Sequence, residues 1–373
     1  MSSALAPLPL PEGIRARFVD NHRGLQVHVL EAGFEGGDRP ALLLLHGFPE
    51  LAYSWRKLML PLAQAGFHVI APDQRGYGRT TGWDAAYDGD LGSFRLSNLA
   101  TDALGLLVAL GLRSVAAVIG HDFGSPVAAC CALARPDVFR AVALMSAPFA
   151  GPPLLAPAAA PGADLHAELA QLPRPRKHYQ RYYATREADA DMRFAPQGLH
   201  DFLRAYYHHK SADWRENRPF VLSARSAAEF AKLPDYYVMD LDKTMAETVA
   251  PQMPSAAQIA ACAWLRDDEL AVYAAEFART GLQGALQWYR CATEGVNADL
   301  QLFAGRTIDV PACFIAGRSD WGAWQSPGAL EAMQTSACTD MRGCHWVDGA
   351  GHWVQQEQPD EVLRLLLQFL RVA

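Results

Sequence analysis

Several familiar signatures are absent from this 373-residue chain, and each absence removes a class of function. No apolar run reaches the roughly 18 residues that a bilayer-crossing helix needs, so no membrane span is expected. Basic residues do not dominate. Lys and Arg number 33 against 40 Asp and Glu, for a net charge of -7, and the pI is near 5.9. An acidic surface argues against nucleic acid or an anionic membrane as partner. There is no CxxC pair and no Cys/His spacing suited to zinc. The seven cysteines are scattered and odd in number, which reads as reduced core thiols in a cytoplasmic protein. Residues 1–11 lack a basic stretch and are broken by prolines, so no secretory signal is expected there. Internal repeats are missing too. The one biased tract is a Pro/Ala/Gly-rich stretch at 151–162, which reads as a loop or hinge.

What is present is an ordinary globular composition, 50% hydrophobic and 20% charged, in a chain long enough for one large core plus an inserted or second unit. Residues 14–20 and 25–31 alternate apolar and polar positions, as half-buried strands do. Ala41–Leu45 is wholly apolar, the mark of a central parallel strand covered on both faces, and 67–71 and 115–119 repeat that signal. Helical periodicity fills 51–65 and 96–110, the latter stopping at Gly111, and a further strand is expected at 141–145. Strands spaced by helices mean a parallel sheet. From 148 to 309 the alternation stops. Aromatic-rich, mostly helical segments follow at 177–184, 198–209, 227–232 and 267–280, the last running on to 289. Short strands return at 310–316 and 345–347, and 360–371 is an amphipathic helix. One α/β core interrupted by a helical insertion explains this layout: core at 1–147, insertion at 148–309, core again at 310–373. Two independent domains explain it less well, because the last strands would have no sheet of their own.

Three segments carry chemistry. Gly120-His-Asp122-Phe-Gly124 follows an apolar strand and opens a helix of small residues. Its G-x-nucleophile-x-G form places Asp122 at the apex of a tight turn, exposed above the sheet. The plain alternative is that Asp122 caps the helix behind it. His46-Gly-Phe48-Pro-Glu50 follows another apolar strand, where a backbone amide completes an oxyanion hole; the donors would be the amides of Phe48 and Phe123. His46 itself reads as a buried residue that orders the loop. Third, His352 stands on the Gly-flanked loop Gly349-Ala-Gly351-His352-Trp353, last in the chain order nucleophile, acid, base. The acid is expected after the preceding strand, where Gly317-Arg-Ser-Asp320 offers Asp320 to orient His352. Arg318 nearby leaves open that Asp320 only forms an ion pair.

Together, His46–Glu50, Arg75-Gly-Tyr-Gly78, Gly120–Gly124, Gly317–Asp320 and Gly349–Glu357 resemble the α/β-hydrolase-fold epoxide hydrolases. The resemblance runs along both core segments in order. It implies a mostly parallel eight-stranded sheet flanked by helices, with an inserted helical lid. It also implies two lid tyrosines that donate hydrogen bonds to the epoxide oxygen. The segment 281–290 resembles the one that carries Tyr289, and 177–183 the one that carries Tyr179, with Tyr182 the substitute for Tyr179. Phenols suit the task because ring opening generates an alkoxide, a poor leaving group. Trp353, Phe149 and Tyr182 are the expected pocket residues. The implied partners are a small apolar epoxide and water, with no metal or organic cofactor; the subunits are compatible with a homodimer.

Haloalkane and fluoroacetate dehalogenases are similar and share the Asp nucleophile. They commonly carry Trp after it, and haloalkane dehalogenases bind the leaving halide through that indole. Phe123 has no such donor, which weighs against dehalogenation. A non-catalytic binding protein would be favoured by a broken triad, yet Asp122, Asp320 and His352 are all present. An esterase or lactonase is disfavoured by the absence of a serine at the turn.

Overall fold

The computed structural model describes residues 5–155 and 164–373. Most of the 151–162 stretch lies outside the described residues. The first strands follow their patterns. β1 (Ile14–Asp20) and β2 (Gln26–Ala32) pair antiparallel at the sheet margin. β3 (Ala41–Leu45) is buried at every position, as four consecutive leucines require. Helix α1 (Arg56–Gln64), strand β4 (His68–Pro72) and helix α2 (Leu96–Ala109) come next. Strand β5 (Ala117–His121), helix α3 (Gly124–Ala134) and strand β6 (Val142–Met145) complete the first part.

Between β6 and the next strand of the large sheet lies a mostly helical segment. It contains α4 (Leu165–Ala170), β7 (Arg176–His178), α5 (Tyr179–Tyr183), α6 (Ala188–Arg193), α7 (Leu199–Lys210) and α8 (Ala227–Phe230). Strand β8 (Val238–Asp240) and helices α9 (Met245–Val249), α10 (Ala256–Ala261), α11 (Asp267–Thr280) and α12 (Gln283–Thr293) follow. The chain then returns through β9 (Ala312–Gly317), α13 (Ala329–Ala332), β10 (Met341–Val347), α14 (Val354–Glu357) and α15 (Pro359–Leu370). The large sheet has eight strands in the order β1-β2-β4-β3-β5-β6-β9-β10. All neighbours from β4 onward are parallel. This is the α/β-hydrolase fold, and α15 closes it with Val362, Leu365, Leu366 and Phe369 turned inward at helical spacing.

Three details differ from the sequence reading. Residues 176–178, the first part of the expected helix near 177–184, form a strand that pairs antiparallel with β8. Each strand has three residues, too few for a period of two to register. The expected continuous helix from 267 to 289 breaks at Gly281, whose φ of 70° ends α11 before α12 begins. The last strand starts at Met341 rather than 345, and its half-exposed residues hide the apolar signature.

Candidate active site

Asp122 lies where β5 gives way to α3, with φ at 50°. A non-glycine residue holds that left-handed conformation only when its surroundings dictate it. Here the Asp122 amide donates to the Met145 carbonyl at 3.1 Å. Its side chain does not cap α3. Instead Oδ1 accepts from the Phe48 amide at 2.9 Å, which sets aside the capping alternative. The other oxygen, Oδ2, faces His352 Nε2 at 3.1 Å. That approach is close enough for attraction but lacks hydrogen-bond alignment, so Nε2 has no hydrogen-bond partner among the described residues. Burial pushes the Asp122 carboxyl up, but the His352 contact outweighs it and holds the group well below the ordinary range. It is an anion at neutral pH.

His352 sits between β10 and α14. Its Nδ1 donates to the Asp320 carboxylate at Oδ1 at 3.1 Å, which assigns a proton to Nδ1. Asp320 is buried and also accepts from the Gly322 amide at 2.7 Å. Arg318 pairs with Asp348. The ion-pair alternative for Asp320 therefore has no partner at Arg318.

Two of the expected phenols lie close enough to feel the Asp122 charge. Tyr179 opens α5, and its amide donates to the Tyr237 carbonyl at 2.8 Å, so the β7–β8 pairing sets its place. Tyr289, on α12, packs its ring at 5.0 Å from Phe123 and 5.4 Å from Phe48. The Tyr179 and Tyr289 rings are 5.9 Å apart. The Tyr179 hydroxyl donates weakly to Gln325 Oε1 at 3.4 Å. Burial first, then the Asp122 charge, raises both phenols above their ordinary value. Both stay protonated and able to donate.

Other expected residues fall less directly on the site. Tyr182 donates its hydroxyl to Asp191 at 3.0 Å. Trp353 donates Nε1 to the Tyr207 carbonyl at 2.9 Å and packs behind His352 with ring centroids 4.6 Å apart. Phe149 is half-buried after β6. Phe123 lies with its ring against Trp288 at 5.3 Å, while the Trp288 indole N–H donates to the Arg75 carbonyl. His46 orders its loop, as expected, by accepting from the Gln74 amide on Nε2 at 3.1 Å.

Sequence reasoning missed a buried pair beneath the nucleophile. His121 Nδ1 meets Glu50 Oε2 at 2.6 Å, and His121 Nε2 meets the His352 carbonyl at 2.7 Å. Burial lowers the His121 pKa, but Glu50 outweighs it and the net shift is upward. Glu50 Oε1 also accepts from Gln355 and Gln356. Both residues lay inside quoted motifs, yet nothing in the sequence says that position 50 turns inward. Lys210 was missed as well. It is buried at the end of α7 with its ammonium among the rings of Tyr206, Tyr237 and Trp353, at 5.1–5.5 Å from their centroids.

Chemically, the assembly offers a buried carboxylate anion, an imidazole whose Nε2 faces it, and two protonated phenols that feel its charge.

Residues 40–359 match the α/β hydrolase fold family. The chain is 34% identical over 376 residues to epoxide hydrolase B of Mycobacterium tuberculosis, covering 94% of this chain and 96% of that one. It is 32% identical over 352 residues to an epoxide hydrolase of Caballeronia sordidicola, covering 94% and 92%. Among solved structures, an epoxide hydrolase from an endophytic Streptomyces aligns with a TM-score of 0.77 at 32% identity, covering 97% and 96%. Potato (Solanum tuberosum) epoxide hydrolase I aligns with a TM-score of 0.71 at 28% identity, covering 96% of this chain and all of that one.

Proposed function

The chain belongs to the α/β-hydrolase-fold family of epoxide hydrolases, and from that premise we propose that it opens a small apolar epoxide to a vicinal diol through an ester on Asp122. Asp122 Oδ2 attacks one ring carbon, the carbon–oxygen bond of the ring breaks, and Tyr179 and Tyr289 donate to the oxygen as it takes the charge. A carboxylate suits this step because substitution at saturated carbon needs no base. His352, oriented by Asp320, then takes a proton from water as the water oxygen bonds to Cγ of Asp122. The oxyanion rests on the amides of Phe48 and Phe123. The bond from Cγ to the alkyl-bearing oxygen breaks and the diol leaves with that oxygen; of the two water protons, one passes from the new Cγ–OH to the departing oxygen and the other from His352 to the former ring oxygen by way of its tyrosine donors, so Asp122 is again a carboxylate.

The observation that carries this reading is the pairing of Asp122 Oδ2 with His352 Nε2 at 3.1 Å, with Tyr179 and Tyr289 near enough to feel the Asp122 charge. Phe123 supports the choice of epoxide over halide, since its ring has no N–H for a leaving halide. The residues at 148–309 would act as the lid between two parts of the core at 1–147 and 310–373. Seven free thiols support a cytoplasmic setting, and the net charge of -7 supports no nucleic-acid partner.

The test is His352→Gln. Incubated with styrene oxide, it should accumulate protein heavier by one substrate, seen by intact mass and mapped to Asp122. Asp122→Asn should form no adduct and lose turnover by on the order of 10⁴-fold or more. Steady turnover by Asp122→Asn without deamidation would sink the scheme.

A further inference from the structure

Glu357, the last residue of α14, makes contacts that the scheme above leaves unused. Its Oε2 accepts from the amides of Gly351 at 3.0 Å and Ala212 at 2.8 Å, and its Oε1 from the amide of Trp353 at 3.0 Å. Two of those donors flank His352 in the chain. The third belongs to the segment that follows α7. The His352 amide itself donates to the Lys210 carbonyl at 2.9 Å. Three consecutive amides around His352, 351 to 353, are thus fixed by one carboxyl group and one carbonyl. Gly351 adds a second, independent constraint. A Cβ there would lie 2.5 Å from the Ser211 carbonyl carbon and 2.6 Å from the Ala212 nitrogen. The histidine loop and residues 210–212 therefore touch backbone to backbone.

No cation forms an ion pair with Glu357 among the described residues. Burial without a countercharge pushes its carboxyl up to about 8, even with three amides pulling it down. A chain has no packing reason to keep an acid there; glutamine has the same volume.

We propose that Glu357 is a positioning residue for His352, joining the catalytic loop to residues 210–212 so that the imidazole is in register for the hydrolysis half-reaction. The inference rests on the ester scheme above. Glu357 touches neither Asp122 nor the Phe48 amide, so ring opening does not depend on it. Hydrolysis does, because Nε2 must take a proton from water while that oxygen bonds to Cγ. A displacement near 1 Å costs such a transfer about 100-fold.

Glutamine at 357 turns an NH2 toward at least one of the three N–H donors. In single-turnover experiments with styrene oxide, Glu357→Gln should form the alkyl-enzyme at near the wild-type rate and hydrolyse it about 100-fold more slowly. The adduct should then accumulate in the intact mass. Glu357→Asp is the second variant: it keeps the carboxyl group but withdraws it by one methylene from the three amides. It should slow the same half-reaction by about 10-fold. Equal slowing of both half-reactions would mark a merely structural role and overturn the proposal, as would unchanged hydrolysis in Glu357→Gln. Should His352→Gln trap no ester, the ester scheme falls instead, and the two failures are told apart.

Discussion

Asp122 raises both phenols only while it is charged. In the proposed scheme it becomes an ester, so that part of the upward push on Tyr179 and Tyr289 would disappear and both would become stronger donors just as the alkoxide forms. Replacing either by Phe should slow ester formation about 100-fold, by the measure of a lost oxyanion donor, and leave ester hydrolysis near wild type. Stopped-flow single turnovers separate the two steps. Beneath them, His121 titrates against Glu50. Its folded pKa is raised above the ordinary 6.5, so its contribution to stability is complete below that value and is lost as pH rises through the folded pKa. Glu50, lowered from 4.5, contributes above its unfolded value. His121→Gln should therefore cost most between about pH 5 and 6.5, roughly 3–5 kcal/mol for a broken buried pair. Urea unfolding at pH 6 and pH 9 should show the gap narrowing at the higher pH. Asp122, Asp320 and His352 were legible because fixed turn and loop spacings announce them. Glu50, Lys210 and Glu357 were not, since inward orientation of a charged side chain comes from tertiary packing.

Helix α12 brings Tyr289 to the nucleophile by an approach that excludes side chains. A Cβ on Gly284 would lie 2.6 Å from the Gly76 carbonyl oxygen and 2.7 Å from the Trp83 ring. Helix propensity alone would favour alanine by about 1 kcal/mol. The clash is with backbone, which cannot swing away, so overpacking of about 1–3 kcal/mol should win. Gly284→Ala is expected to lower the melting temperature and to slow ester formation more than ester hydrolysis, because Tyr289 lies five positions along the same helix. Long strands and helices were readable from periodicity, including β3 and α15. The β7–β8 pair was not. It matters all the same, for it fixes where Tyr179 begins its helix.

Two apolar clusters divide the molecule at the sheet. One lies under it, between β3, β5, α1 and α15, and contains no residue of the helical segment. The other runs without a break from Val118 and Leu144 in the sheet to Tyr206, Leu270 and Tyr289 in the helical segment. Buried polar links reinforce the join: Arg56, near the start of α1, meets Glu269 of α11 at 3.0 Å and Gln356 at 3.0 Å. A segment that shares its core with the sheet has little stability of its own. Chemical unfolding should therefore give coincident transitions by far-ultraviolet circular dichroism and by tryptophan emission. Two resolved transitions would favour separate domains, the layout the returning strands argued against.

Trp353 is fully buried, and its ring stands 4.6 Å from the imidazole of His352. Indole emission is quenched by a neighbouring positive charge. Under the proposed scheme the emission of Trp353 should dim as the imidazole gains its proton from water and recover as the proton is passed on, a change that a Trp353→Phe variant would isolate from the other eight tryptophans.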